Sequence, residues 1–214
     1  MKKIFLSGVL LLLMGFTFAH QPRLVFDMPA GQVVNIQKPE VSQAFYGILS
    51  GQKDIYKIAS DTGFLLSINL VVPDISGSRT DFSVDVQEGD AAVYTRLDGT
   101  KFQWTNFFEP FAGDIYLQWP SLERQVSPWT YTISVSSPDN QGKYSLVIGK
   151  LESFPLNETI HTYKVLPELK MVFFDKPWYT AFWNIVGWFL LGTIIVLVVL
   201  IWGIVKIIKY IRDR

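Results

Sequence analysis

An all-β fold, a jelly-roll-like antiparallel β-sandwich ectodomain followed by a single C-terminal transmembrane α-helix, is predicted by three features of the 214-residue sequence. Apolar runs with a period of two fill the region from Gln32 to Ile148, and turn-forming residues separate them at short intervals. Ile185 to Val205 then runs without a single charge. At about 1.5 Å per residue that stretch matches a hydrocarbon core of roughly 30 Å.

The ends of the chain set its expected topology. Met1-Lys2-Lys3 precedes a short apolar run with Thr17 and Ala19 at the positions that signal peptidases read, so residues 1–19 are expected to be a cleaved signal peptide. At the other end Trp178, Tyr179, Trp183 and Trp188 crowd the approach to the apolar stretch, and Trp202 sits near its exit, as rings do at head-group depth. The tail from Lys206 carries four bases against Asp213. This predicts a cytoplasmic tail at 206–214 and a domain outside the cell membrane. The span, taken as 181–205, contains no buried ionisable group and no Gly-x-x-x-Gly pair, which predicts a passive tether in the lipid bilayer.

Formal net charge is zero, yet positions 20 to 180 hold 13 basic and 18 acidic residues. An acidic exterior domain argues against nucleic acid as a partner. Cysteine is absent, which removes thiol chemistry, disulfides and Cys-ligated metals, and fits a bacterial cell surface better than a eukaryotic ectodomain.

The sandwich is expected over 20–150. His20 to Gly31 reads as a loose lead-in, and strands are predicted at 33–37, 44–49, 54–58, 64–72, 81–87, 92–97, 115–119, 130–136 and 143–148. Tyr131, Ile133 and Val135 alternate with polar neighbours, and Tyr144, Leu146 and Ile148 repeat the pattern. The two segments are therefore expected to pair as a hairpin over Pro138 to Gly142. Phe64, Leu66, Ile68, Leu70 and Val72 form the longest apolar row and mark the central strand. Residues 151–180 read as a membrane-proximal linker. A short helix starting at Pro167 would be either amphipathic and laid on the membrane surface or packed as a stalk.

Asp54-Ile55-Tyr56, Gly63, the run Asp81-Phe82-Ser83-Val84 and the Tyr131 and Tyr144 strands resemble the bacterial pre-peptidase C-terminal domain family over roughly 44–150. The chain departs from that pattern at Trp129-Thr130-Tyr131 and in the insert 100–117. The resemblance implies a jelly-roll-like sandwich that accompanies surface or secreted proteins and is not itself catalytic.

Two sets of residues are candidate sites. Trp104, Phe107, Trp119 and Trp129, with Asn and Gln neighbours, could stack a glycan or hold a peptide; the alternative for residues 102–111 is a loop that caps the core. Asp81, Glu109 and Asp114 could meet around Ca²⁺, whereas Asp81 and Asp85 stand about 13 Å apart along one strand and cannot share an ion. Otherwise the acidic residues are solvated charge and no cofactor is implied. His20 and His161 both lie outside the predicted strands, so no Ser-His pair is expected, and Asn157-Glu158-Thr159 would accept a glycan only in a eukaryotic source. The expected role is a single-pass, extracytoplasmic binding or surface-architecture protein without catalytic residues. The alternatives are a carbohydrate-binding module and a membrane-tethered hydrolase using paired carboxylates.

Overall fold

The structure is a computed structural model that describes residues 20–90, 93–110 and 112–213. The leader expected at 1–19, the start of the strand expected at 92 and Phe111 lie outside the described residues.

Among the described residues, strands β1 (Gln21–Leu24), β3 (Gln43–Ser50), β12 (Gln141–Ile148), β5 (Phe64–Pro73), β9 (Asp114–Gln118) and β8 (Thr105–Glu109) lie side by side in that order, with β10 (Leu122–Val126) also joined to β5. The second sheet runs β2 (Val33–Asn35), β4 (Asp54–Ala59), β11 (Thr130–Ser136), β6 (Ser83–Glu88) and β7 (Val93–Asp98). All pairings are antiparallel except β1 with β3 and β2 with β4. The predicted apolar row on β5 faces inward. Leu66, Ile68, Leu70 and Val72 meet Ile58, Val84, Ile133 and Val135 from the opposite sheet in the main core, and burial of these aliphatic groups is the chief favourable term.

Several local readings change. The lead-in contains β1, whose chain hydrogen-bonds alongside β3; Pro22 is tolerated because β1 is an edge strand. The Tyr131 and Tyr144 strands are not a hairpin. β11 pairs with β4 and β6, whereas β12 pairs with β3 and β5, so the Pro138 to Gly142 turn carries the chain from one sheet to the other. Both strands show the same alternation because each has one face on the shared core, and that pattern does not say which sheet a strand joins. The insert 100–117 forms the β8–β9 hairpin, and β10, whose Glu123, Arg124 and Gln125 are exposed, completes the edge of β5 that β9 leaves open.

A third layer covers the outer face of the first sheet. Helix α1 (Leu156–Glu168) and the wider π turn Leu169–Phe173 bring Leu166, Leu169, Phe173 and Phe174 onto Ala44, Tyr46, Val71, Tyr116 and Val147. The outer face of β5 is mixed in composition because it is covered here and not bathed in water: Val71 is buried while Leu65, near the uncovered end, is exposed. Pro167 falls within the last turn of α1, not at its start. Its missing N–H breaks the regular ladder immediately before the π turn. A final helix, α2 (Ile185–Arg212), extends through the basic tail; its segment Leu190–Arg212 is long and apolar enough to cross a membrane, and none of its apolar stretch is buried by protein.

A polar chain runs from the core to the half-buried Asp54 at its margin. The Tyr144 hydroxyl donates to Asp54 Oδ2 at 2.6 Å and meets the Tyr56 hydroxyl at 2.7 Å. Burial is the largest influence on Asp54 and raises its pKa above the usual carboxylate value, against the lowering effect of the Tyr144 bond. Gly47 faces this ring so closely that an added Cβ would lie 2.5 Å from Tyr144 Cζ. Replacing Tyr144 by Phe strands the buried Tyr56 hydroxyl and takes a donor from the half-buried Asp54, and we expect a loss of about 1–3 kcal/mol in urea unfolding followed by tryptophan fluorescence. Gly47→Ala should be destabilising by a comparable amount through overpacking.

Candidate functional site

The best-buried charges among the described residues lie where the sandwich meets α2. Asp114, fully buried, opens β9 after a turn in which Gly113 adopts φ of +74°. Its Oδ2 accepts from the buried Lys170 ammonium and its Oδ1 accepts from Lys176 Nζ at 2.8 Å. Two cations on one carboxylate compensate the loss of water that would otherwise forbid a buried charge. Burial, its first cause, lowers the Lys170 pKa below the ordinary lysine value, while Asp114 opposes the shift. The two ammonium groups also flank Phe174, at 5.4 and 5.6 Å from its ring centre.

The same turn holds the start of α2. Ala112 O accepts from Lys170 Nζ at 2.7 Å and from Asn184 Nδ2 at 3.0 Å. Asn184 is buried, and its Oδ1 accepts from Gly187 N at 3.0 Å, which makes it the side-chain cap of α2. One residue is thus both the cap of the apolar helix and part of the packed domain. Gly187 is required there, since a Cβ would fall 1.7 Å from Phe182 O.

The opposite end of the molecule carries an open cleft. This cleft of about 630 Å³ lies between the N-terminal segment and the first turn of α1, lined by Gln21, Met28, Asn35, Gln43, Phe45 and Asn157. The Arg23 guanidinium, also on its wall, pairs with Glu158 at 2.8 Å, while Lys38 lines the cleft as an exposed cation. Glu158 and Lys170 are about 18 Å apart along the helical segment at 1.5 Å per residue. A smaller cavity of about 100 Å³, under α1, is lined by Tyr46, Asn69, Tyr116, Ser145 and Thr162. Asn69 Oδ1 and Ser145 Oγ are buried there without a protein partner, and the space suits about three waters.

The residues singled out from sequence converge only in pairs, and none of the pairs forms an open site. Trp119, at 3% exposure, stacks with Trp104 at 5.5 Å and Phe102 at 5.7 Å inside the core margin, while Trp104 Nε1 donates to Gly99 O. Phe107 packs under the third layer. Only Trp129, at 57% exposure, offers a ring to solvent, seated against Gly89. Of the proposed calcium ligands, Glu109 and Asp114 stand opposite each other across the β8–β9 hairpin, while Asp81 lies apart, beside β6 of the other sheet. Asp81 is held by Arg79 Nε at 2.6 Å, which keeps its carboxyl below the usual range; Glu109 Oε2 accepts from Ala112 N; Asp114 is taken by the two lysines. Among the described residues no three acidic or His side chains form a group that could hold a metal ion.

The roles of Lys170, Lys176 and Asn184 were not foreseen. The sequence signal was available in part: a lysine inside the apolar run Leu169 to Phe174 has to find a counter-charge or stay in water.

Comparison with known proteins finds no matching family and no curated relative. Among solved structures the chain is similar to the pre-peptidase C-terminal domain of a collagenase from Bacillus anthracis, with 14% identity, a TM-score of 0.36, and coverage of 56% of this chain and 95% of that one. It is also similar to CorA, described as a surface-associated copper-binding protein of Methylomicrobium album BG8, with 13% identity, a TM-score of 0.29, and coverage of 56% and 99%. A β-glucosidase from Paenibacillus barengoltzii matches with 10% identity, a TM-score of 0.26, and coverage of 61% and 13%. The first of these belongs to the family that the sequence motifs resemble.

Asp114→Asn should be destabilising by about 3–5 kcal/mol in urea unfolding of the detergent-solubilised chain, because it leaves Lys170 buried beside a neutral amide. The double variant Asp114→Asn, Lys170→Met should lose clearly less than the sum of the two single changes, since it removes both members of the pair.

Proposed function

We propose that this chain is a non-catalytic binding protein of the bacterial cell surface, held in the cell membrane by α2 with its basic tail in the cytoplasm and its sandwich outside. The observation that carries this reading is Asn184, which caps α2 while buried in the domain through Ala112 O. A helix that long and apolar, begun inside the fold of a water-facing domain, suits a rigid mount better than a loose leash. The cleft and Trp129 both lie toward the end of the sandwich away from that mount: Val126, which leads to Trp129, pairs with Phe64 at the start of β5, whereas Tyr116 pairs with Pro73 at its end. Amide side chains over an apolar floor of Met28 and Phe45 suit an uncharged, hydrogen-bonding ligand such as a glycan.

In intact cells, added protease should remove the sandwich and leave α2 in a fraction that resists alkaline carbonate. A sandwich protected from protease, or a chain released by carbonate, would overturn the topology. On glycan and peptide arrays probed with the full chain in nanodiscs, Asn35→Trp should abolish binding by filling the cleft, while Trp129→Ala should leave it within about twofold, the scale of a contact made at an exposed rim. The reverse pattern would move the ligand to Trp129.

A further inference from the structure

We infer that the β8–β9 hairpin is a second membrane contact, whose Phe108 and Ile115 lie among the lipid head groups beside α2. This rests on the proposal above that α2 spans a bilayer.

Phe107 and Tyr116 point from this hairpin into the third layer, so their neighbours Phe108 and Ile115 point the other way. These two stand directly opposite each other across the hairpin, on the side away from the third layer, and both are exposed, at 59% and 46%. An uncovered pair of large apolar side chains at a sheet edge is a liability unless something covers it.

The position of the pair identifies the cover. Ile115 is two residues from Gly113, about 7 Å along the strand, and an added Cβ on Gly113 would lie 3.3 Å from Asn184 Cβ. Counting back about 20 residues from Lys206, the first charge after the apolar run, places the outer hydrocarbon boundary at Val186, two residues from Asn184. The hairpin tip is therefore fixed at head-group depth by its bonds to Asn184. Trp178, Tyr179, Trp183 and Trp188, all within six residues of Asn184 in the chain, are exposed, with Trp183 and Trp188 in edge contact at 6.2 Å. Such rings favour the interface. Lys143 and Asp175, paired at 2.7 Å, and the half-exposed Lys176 supply polar groups for head groups on the same end. The sandwich thus touches the bilayer at two points, α2 and the hairpin, and two points fix the tilt of its long axis where one would leave it free.

The absence of cysteine makes the test direct. Phe108→Cys and Ile115→Cys are each labelled with a bimane fluorophore in the full chain, reconstituted into phosphatidylcholine vesicles. Two controls are labelled likewise: Val93→Cys, at the end of the sandwich that carries Trp129, and Val198→Cys, within α2. Aqueous iodide and lipid brominated near the head-group end of its acyl chains are the two quenchers. Labels at 108 and 115 should be quenched several-fold less by iodide than the label at 93, and quenched by brominated lipid when that at 93 is not. If 108 and 115 behave like 93 while 198 is shielded from iodide, the hairpin contact is wrong and the anchor stands. If 198 is also open to iodide, the membrane-spanning reading fails and the hairpin contact fails with it. Phe108 and Ile115 are both outside the core, so two independent labels guard against one altered fold.

Discussion

One carboxylate, Asp114, holds three parts of this molecule together. It comes from the hairpin of the first sheet, its partners Lys170 and Lys176 come from the covering layer, and the adjacent Ala112 carbonyl takes in the cap of the apolar helix. A buried ion pair contributes little stability over a well-packed apolar group, but breaking half of it is costly. Its consequence is specificity of arrangement: the covering layer is held at the register that brings Lys170 over Asp114. The π turn at Leu169–Phe173 is the local deformation that accompanies this register, placed just after the proline that interrupts the hydrogen-bond ladder of α1.

The covering layer also explains the split of the core into two clusters. Between the sheets the packing is a sandwich, with Tyr56 and Tyr144 sharing a sealed polar contact. On the outer face the packing is helix on sheet, dominated by Phe173, Phe174, Tyr46 and Tyr116, whose rings meet edge to face at 5.0 and 5.3 Å. The segment 156–184 therefore shares in the burial that stabilises the domain, and the small polar cavity beneath α1 marks where that fit is incomplete.

Much of the β architecture was legible in the sequence, because period-two alternation and turn residues are local properties. The apolar row of β5 and the limits of β11 could be read to the residue, and the apolar helix was evident from length alone. Sheet membership was not, since β11 and β12 display the same pattern while lying in different layers. β1 and β10 were missed because edge strands carry few apolar residues and a proline is no obstacle there, and β8, within the stretch 102–111 read as a binding or capping loop, was missed because its adjacent Phe107 and Phe108 break the alternation. The candidate sites fared worst. Trp104 and Trp119 are aromatic for packing, and an acidic residue such as Asp114 looks the same in sequence whether it faces solvent or two lysines sixty residues away. Long-range pairing of that kind leaves no periodic trace.

The cap at Asn184 has a further result. An α-helix turns about 100° per residue, so a helix begun inside a packed domain has its angular position set from the first turn. Every exposed side chain of α2 then stands on a fixed compass bearing relative to the cleft. A neighbour recognising one stripe of that helix would meet the cleft always on the same side, as a key's teeth are aligned with its handle.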